Sequence, residues 1–219
     1  CDLLEKAEDF EVAVHDLIKK YLTDHQRIIF NGNGYSEEWV KEAERRGLPN
    51  IKSMIEAAST ITTDKAVALF EKFGIFTRVE LESREEIIYE TYAKTINIEA
   101  LTMIDMAGKD IIPAVASYAG ELANSLIAIK EAGATAAAQM EMLEEVDGLL
   151  AEAKKALNTL KEVEAGASGI SDAKKLAFYY KDTVKVAMDA LRAPIDKLEM
   201  IVDSTIWPVP TYGDLMFEV

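Results

Sequence analysis

The chain has 219 residues, of which 39 are acidic and 24 are basic, so its formal net charge at pH 7 is −15. Proteins that bind nucleic acids or anionic membranes carry a surplus of Lys and Arg, so this charge argues against both classes of partner. Hydrophobic residues make up 49% and charged residues 29% of the sequence, which is typical of a globular chain. The low content of glycine (11) and proline (5) predicts few turns and long helices.

The termini and the cysteine content limit the cellular compartment. The single cysteine, Cys1, excludes an internal disulfide and a cysteine-built zinc site, so a reducing cytoplasm fits best. No run of about twenty apolar residues predicts a membrane span, and residues 1–5 lack the pattern of a secretion signal. The sequence has no initiator Met and enters helical periodicity at once, which indicates a region of a longer protein.

The N-terminal part predicts one amphipathic helix followed by short elements. Apolar residues recur in steps of three and four over residues 3–21 and form a stripe that needs an apolar partner: Leu3, Ala7, Phe10, Val14, Leu17 and Tyr21. Residues 27–30 contain two β-branched residues and one aromatic residue and precede a glycine-rich turn, which predicts a strand or an extended segment. Ser36 and Gly47 mark the ends of a short helix, and residues 64–73 predict a second one after a loop.

A long helix is predicted to begin behind a capping box formed by Thr77 and Glu80. Residues 96–112 are apolar on most sides, which is typical of a helix surrounded by others. Gly108 and Pro113 should bend or break this helix, because proline lacks the amide donor and clashes with the preceding turn.

Two further long helices follow. Thr135 is predicted to cap the first of them and Ser171 the second, in which Pro194 should produce a kink. The tail over residues 207–212 is too rich in proline for a helix and too aromatic for a loose end, so we expect it to dock. The sequence therefore predicts an all-α fold, a long-helix bundle with short helices and a brief extended segment near the N-terminus.

No catalytic, cofactor-binding or metal-binding constellation is found in the sequence. The two histidines, His15 and His25, fit neither a zinc motif nor the spacing of a di-iron bundle. Five carboxylates share helical faces and could hold Mg²⁺ or do acid–base work, but the spread of charge along the chain favours a solvated face. They are Glu82, Glu86, Glu90, Glu141 and Glu145.

Two other polar features have structural explanations. Residues 31–34 are rich in glycine but lack the spacing of a phosphate-binding loop, so a plain turn is favoured. Asn97, Thr102 and Asp105 lie in the most apolar helix, where we expect them to form structural hydrogen bonds and not a site.

Three blocks of sequence stand out beyond these periodicities. They are RIIFNGNGYSEEW at 27–39, KTINIEALTMID at 94–105, and the C-terminal WPVPTY at 207–212 with LMF at 215–217. Together these blocks resemble the C-terminal region of type III glutamine synthetases. They occur in the same order as in that family and extend the resemblance over nearly the whole chain.

The resemblance implies a large cytoplasmic enzyme that condenses glutamate and ammonia to glutamine, using ATP and Mg²⁺ or Mn²⁺, in an assembly of hexameric rings. The family's ATP, metal and glutamate residues belong to the catalytic domain upstream, and none of their motifs is found here. No catalytic, cofactor or metal residue is therefore carried over, and this part alone is expected not to synthesise glutamine. By the same resemblance, residues 1–22 form a helix like the end of the catalytic domain, 23–76 a strand or turn with short helices, and 77–219 the C-terminal bundle with its docked tail.

Two hypotheses about function follow. In the first, the chain is a non-catalytic helical region that packs against the remainder of its own polypeptide and against sister subunits of a homo-oligomer. The candidate interface residues are Leu3, Phe10, Val14, Leu17, Tyr21, Trp207, Tyr212 and Phe217. The alternative is an independent acidic helical adaptor that binds a partner helix in a groove. The missing Met and the three blocks favour the first.

Overall fold

The structure is a computed structural model that describes residues 2–5 and 8–217, without the side chains of Asp2, Leu3 and Tyr212. All regular elements of these residues are helical and none is a strand, so the predicted all-α fold is confirmed. The chain divides into two compact units, Cys1–Met54 and Ile55–Val219.

The described part of the first unit contains helices α1 (Asp2–Glu5), α2 (Phe10–Asp24) and α3 (Glu37–Arg45), with a 3₁₀ turn at Gln26–Ile28. The sequence predicts one helix up to residue 22, but a bend at residues 8–9 separates α1 from α2. Asp9 explains this start, because its carboxylate accepts hydrogen bonds from the backbone N–H groups of Glu11 (3.0 Å) and Val12 (3.1 Å). Ser36 caps α3 as predicted, and Gly47 follows its end with a φ of +73°.

The strand predicted over residues 27–30 does not form. Ile29 is extended, but the 3₁₀ turn at Gln26–Ile28 includes the two residues before it. The guanidinium of Arg46 donates hydrogen bonds to the carbonyl oxygens of Arg27 (3.0 Å) and Ile29 (2.5 Å), which takes up acceptors that a partner strand would need. Of the two predicted alternatives, a strand or an extended segment, the strand is therefore absent and the extended backbone is found at Ile29.

The second unit is a bundle of three long helical arms preceded by two short helices. The short helices are α4 (Met54–Ala58), where a loop is predicted, and α5 (Asp64–Lys72). The first arm is α6 (Arg78–Met106), a π-turn at Ala107–Ile111 and α7 (Ile112–Glu131); the second is α8 (Ala137–Gly166); the third is α9 (Ala173–Tyr179), a π-turn at Tyr180–Val184 and α10 (Lys185–Glu199). A short helix, α11 (Tyr212–Phe217), follows the tail.

The three arms run up, down and up, and each packs against the other two. At one end of the bundle Asn97 on α6 contacts both Glu164 on α8 and Tyr180 on the third arm. One core cluster fills this half of the bundle: Ala93, Ala100, Ala107, Leu157, Leu160, Ala167, Tyr180, Val184, Ala187, Met188 and Leu191. A second fills the other half: Ile111, Val115, Leu122, Val146, Ala153, Leu198, Val202 and Trp207. A smaller third cluster joins α4 to α6 and α9 through Ile55, Ala58, Tyr89 and Ala177.

The capping box at the start of α6 is confirmed, with the Thr77 N–H donating to the Glu80 carboxylate at 2.8 Å. The predicted caps of the other two arms are each wrong by one residue. Ala136, with a φ of +52° and no side-chain cap, precedes α8 in place of Thr135. Asp172 caps α9 in place of Ser171, because its carboxylate accepts from the backbone N–H of Lys175 at 2.8 Å.

The prolines do not end the helices in which they lie. Pro113 is the second residue of α7 and directly follows the π-turn at Ala107–Ile111, which takes the place of the bend or break predicted near Gly108. Pro194 lies inside α10, buried on the core side, and the helix continues to Glu199.

One helical stretch, Arg78–Glu131, is long and apolar enough to cross a membrane by length and composition alone. In the bundle it supplies buried residues to all three core clusters. Packing therefore accounts for part of its apolar character, while Ile98 and Ile127 remain exposed.

The tail docks on its own bundle through Trp207, which is buried in the second core cluster. Within the described residues its indole N–H has no hydrogen-bond partner. We therefore expect Trp207→Ala to lower the free energy of unfolding by about 3–5 kcal/mol. Trp207→Phe should lower it by less, because the indole N–H that it removes makes no hydrogen bond.

Urea unfolding followed by circular dichroism measures both variants. Equal losses for Trp207→Phe and Trp207→Ala would show that the indole N–H makes a stabilising contact after all.

Candidate functional site

The helix α2 presents most of its apolar stripe to solvent. Phe10 and Tyr21 are 62% and 56% exposed, while Val14 and Leu17 are half-buried. No residue of α2 is buried, and in the described part of the first unit only Ala43 is. We call this surface the α2 face; with two further exposed residues that the sequence stripe omits, it comprises Phe10, Val14, Leu17, Ile18, Tyr21 and Leu22.

Of the candidate interface residues in the C-terminal tail, one is buried and one is exposed. Trp207 lies inside its own bundle and offers almost no surface to a partner. Phe217 is 80% exposed, and its neighbours Leu215 and Met216 are exposed as well. Leu3 and Tyr212 are also candidate interface residues from the sequence, but their side chains are outside the part that the structure describes.

The first sequence block forms a turn packed on α3. The rings of Phe30 and Trp39 lie 4.7 Å apart between centroids. The Asn33 carboxamide oxygen accepts a hydrogen bond from the backbone N–H of Tyr35 at 3.0 Å, and Ser36 begins the helix. The glycine-rich residues 31–34 therefore lie in a side-chain-stabilised turn, the kind of structure that the sequence favours.

A cluster of two arginines and one carboxylate holds this block on α3. Arg45 and Arg46 donate to the Glu42 carboxylate at 2.5–2.6 Å, and Arg46 also reaches the carbonyl oxygens of Arg27 and Ile29. The hydrogen bonds from Arg45 and Arg46 lower the pKa of Glu42 to about 2. The cluster is a structural anchor, because its groups bond to one another and to the backbone.

The carboxylates that the sequence places on shared helical faces are all exposed: Glu82, Glu86, Glu90, Glu141 and Glu145. Glu90 pairs with Lys94 at 2.7 Å.

The two histidines contact their neighbours: His15 bonds to Asp16, and the ring of His25 stacks on Tyr21. Across residues 2–5 and 8–217, no group of three or more His, Cys, Asp or Glu side chains could hold a metal ion.

Glu85 is a carboxylate that the sequence analysis missed. Its burial opposes ionisation, but hydrogen bonds from Thr62 and Tyr89, both at 2.7 Å, and the charge of Lys174 outweigh burial and lower the pKa of Glu85. These partners lie before α5, on α6 and on α9, so Glu85 joins three segments. Its spacing of four residues from Tyr89 is the one local signal that could have indicated it.

Asn97 joins the three arms of the bundle. Its side-chain N–H groups donate to the Glu164 carboxylate at 2.9 Å and to the Tyr180 hydroxyl at 2.8 Å. Tyr180 is buried, while Asn97 and Glu164 are half-buried at the wall of a cleft of about 480 Å³. The sequence predicts a structural hydrogen bond for Asn97, and the structure shows two.

The other two polar residues of that helix are exposed, with Thr102 bonded to the Ile98 carbonyl and Asp105 paired with Lys109.

Comparison with known proteins identifies the family. The family model described as "Glutamine synthetase C-terminal domain" matches residues 13–130, which is more than half of the chain. The chain belongs to the glutamine synthetase C-terminal domain family.

Curated glutamine synthetases align with nearly all of the chain. The chain is 37% identical over 214 residues to a glutamine synthetase of Butyrivibrio fibrisolvens, with 97% of this chain covered. It is 32% identical to the type-3 glutamine synthetase of Dictyostelium discoideum, with 97% covered, and 32% identical to a glutamine synthetase of Bacteroides fragilis, with 98% covered. The chain spans only 30–31% of the length of these relatives. The resemblance to the C-terminal region of type III glutamine synthetases is thus confirmed.

We expect the Glu42 cluster to make the first unit of this glutamine synthetase C-terminal domain acid-sensitive. Because the folded state lowers the pKa of Glu42, its stabilisation is complete above its usual pKa of 4.5 and is lost as the pH falls towards 2. We expect Glu42→Gln to reduce stability at pH 7 and to weaken the acid dependence between pH 5 and 2.

Trp39 fluorescence in a Trp207→Phe background reports on this unit, since the chain has only two tryptophans. Glu44→Gln is the matched control, because the Glu44 carboxylate makes no ion pair with any described residue. An acid transition that is the same in Glu42→Gln and in the parent would contradict the prediction.

The Asn97 contacts should be energetically coupled. Asn97→Leu leaves the buried Tyr180 hydroxyl and the Glu164 carboxylate without their common donor and should cost about 1–3 kcal/mol. Combined with Tyr180→Phe, the loss should be smaller than the sum of the two single losses by at least about 0.5 kcal/mol.

Chemical unfolding of the four proteins of this cycle measures the coupling, with the exposed Thr102→Ala as a control expected to change stability by less than about 0.5 kcal/mol. Strict additivity would show that the two side chains act independently.

Proposed function

We propose that this chain is the non-catalytic C-terminal helical region of a type III glutamine synthetase and serves packing and subunit assembly. The parent enzyme is an ATP-dependent ligase of the cytoplasm that joins ammonia to glutamate, with ATP and Mg²⁺ or Mn²⁺ bound upstream of this region. The names of the relatives and the match to a C-terminal domain family support this proposal.

The exposed α2 face is the observation that carries the proposed packing role. An amphipathic helix of 15 residues with no buried residue leaves an apolar stripe without a partner. Contiguous apolar patches on soluble proteins mark contact surfaces. The first unit cannot supply the partner itself, because only Ala43 is buried among its described residues.

The partner that we propose for the α2 face is the remainder of the same polypeptide. The relatives are about three times as long as this chain, so most of such a protein lies outside it. The exposed apolar end of α11 is proposed to contact a sister subunit. An independent adaptor receives less support, because glutamine synthetases align with 97–98% of the chain.

The test places two charges on the α2 face of the polypeptide made from the complete gene. Burial of an aromatic side chain contributes about 1.5–3 kcal/mol, so Phe10→Asp with Tyr21→Asp should destabilise the contact by about 3 kcal/mol or more. We expect faster hydrogen exchange in α2, a smaller assembly in native mass spectrometry and lower glutamine synthesis.

The control places the same charges on two exposed apolar residues outside the α2 face, with Val79→Asp and Met200→Asp. It should leave assembly and activity unchanged. Equal effects of the two pairs would overturn the role of the α2 face. A native polypeptide of 24.2 kDa in the source cell would overturn the proposed parent and favour the adaptor.

A further inference from the structure

The cleft beside Asn97 has the size and the lining of a small-molecule site. Its volume of about 480 Å³ lies in the range of ligand pockets. One wall is apolar and consists of Ala93, Ala167, Ile170, Ala173 and Leu176. The lining also carries the Asn97, Glu164 and Tyr180 side chains, which hydrogen bonds hold in place.

Glu164 is the unusual member of this wall. Its carboxylate is half-buried and accepts one hydrogen bond, from Asn97 at 2.9 Å. Among the residues that the structure describes, no Lys, Arg or His side chain lies within 4.0 Å of it. A partly desolvated carboxylate without a cation is costly, so an ammonium group at this position would stabilise it.

The only cation in the described lining is already engaged. Lys94 lies at the cleft but forms its ion pair with Glu90 at 2.7 Å. The charge of Glu164 is therefore not balanced, and the lining is negatively charged. A charge of this sign favours a positively charged occupant and disfavours a phosphate or a carboxylate.

The π-turn that begins at Tyr180 lies beside the cleft. Such turns are rare and occur frequently at functional sites. Here the turn lies where the third arm passes Asn97, and the Tyr180 hydroxyl accepts the hydrogen bond that fixes the Asn97 carboxamide beside Glu164.

We propose that this cleft binds a small organic cation, with a primary ammonium group at the Glu164 carboxylate and a short aliphatic body against Ile170 and Leu176. The Asn97 carboxamide positions the carboxylate. Binding here goes beyond the proposed role in packing and does not require the α2 face.

The test uses n-butylammonium as the probe and the polypeptide made from the complete gene. Saturation-transfer NMR detects weak binding to a large protein and gives the dissociation constant by titration. We expect a saturable signal for n-butylammonium and none for butyrate or n-butanol, which share the aliphatic body but carry the opposite charge or no charge.

Glu164→Gln keeps an acceptor for Asn97 and removes the charge, so it should weaken binding at least tenfold. Glu164→Asp keeps the charge on a shorter side chain and should bind with intermediate strength. Glu162→Gln, an exposed residue of the same helix, is the matched control and should bind like the parent. The mass of the assembly should be the same in all four proteins.

Three outcomes would overturn the proposal: no saturable signal for n-butylammonium, an equal signal for n-butanol, or unchanged affinity in Glu164→Gln. Binding to the 219-residue chain but not to the complete polypeptide would also overturn it, because the cleft would then be covered by protein.

Discussion

Burial of one side of α8 between the two other arms is the constraint on which the second unit depends. Val146, Ala153, Leu157 and Leu160 of this helix are 0–1% exposed and contribute to both main core clusters. The other two arms contribute to the same two clusters, so they must keep their apolar residues turned towards α8. Tight packing of this kind leaves little freedom for a helix to rotate.

The two π-turns follow from that constraint. Buried residues of the first arm recur at Ala107, Ile111 and Val115, in two successive steps of four. In an α-helix of 3.6 residues per turn, side chains four residues apart do not lie on the same line, so a stripe of such residues rotates around the helix axis. The π-turn at Ala107–Ile111 contains more residues per turn and keeps these side chains on the core side. The third arm has the same device at Tyr180–Val184, also a step of four between buried residues. Among the described residues of the first unit only Ala43 is buried, and polar contacts around Arg46 hold the segment of residues 27–29 on α3.

Structural features that depend on neighbouring residues could be predicted from the sequence, whereas features that depend on distant residues could not. The capping box of Thr77 and the cap at Ser36 could be predicted, because each depends on residues within one turn. The strand at 27–30 could not be excluded, since the Arg46 side chain that occupies its carbonyls comes from 17–19 residues away. For the site, the polar character of Asn97 was evident, but its partners lie 67 and 83 residues along the chain. The apolar stripe of α2 was visible in the sequence, whereas its exposure needed the structure.

The uninterrupted path from α6 through the π-turn into α7 has a mechanical consequence. A helix of this length rises about 80 Å, and only one short hinge-like irregularity lies within it. Because α7 packs along α8, this arm can tilt only together with the bundle. At this length, a rigid tilt of about 5° at the Thr77 end would displace the end near Gly133 by about 7 Å.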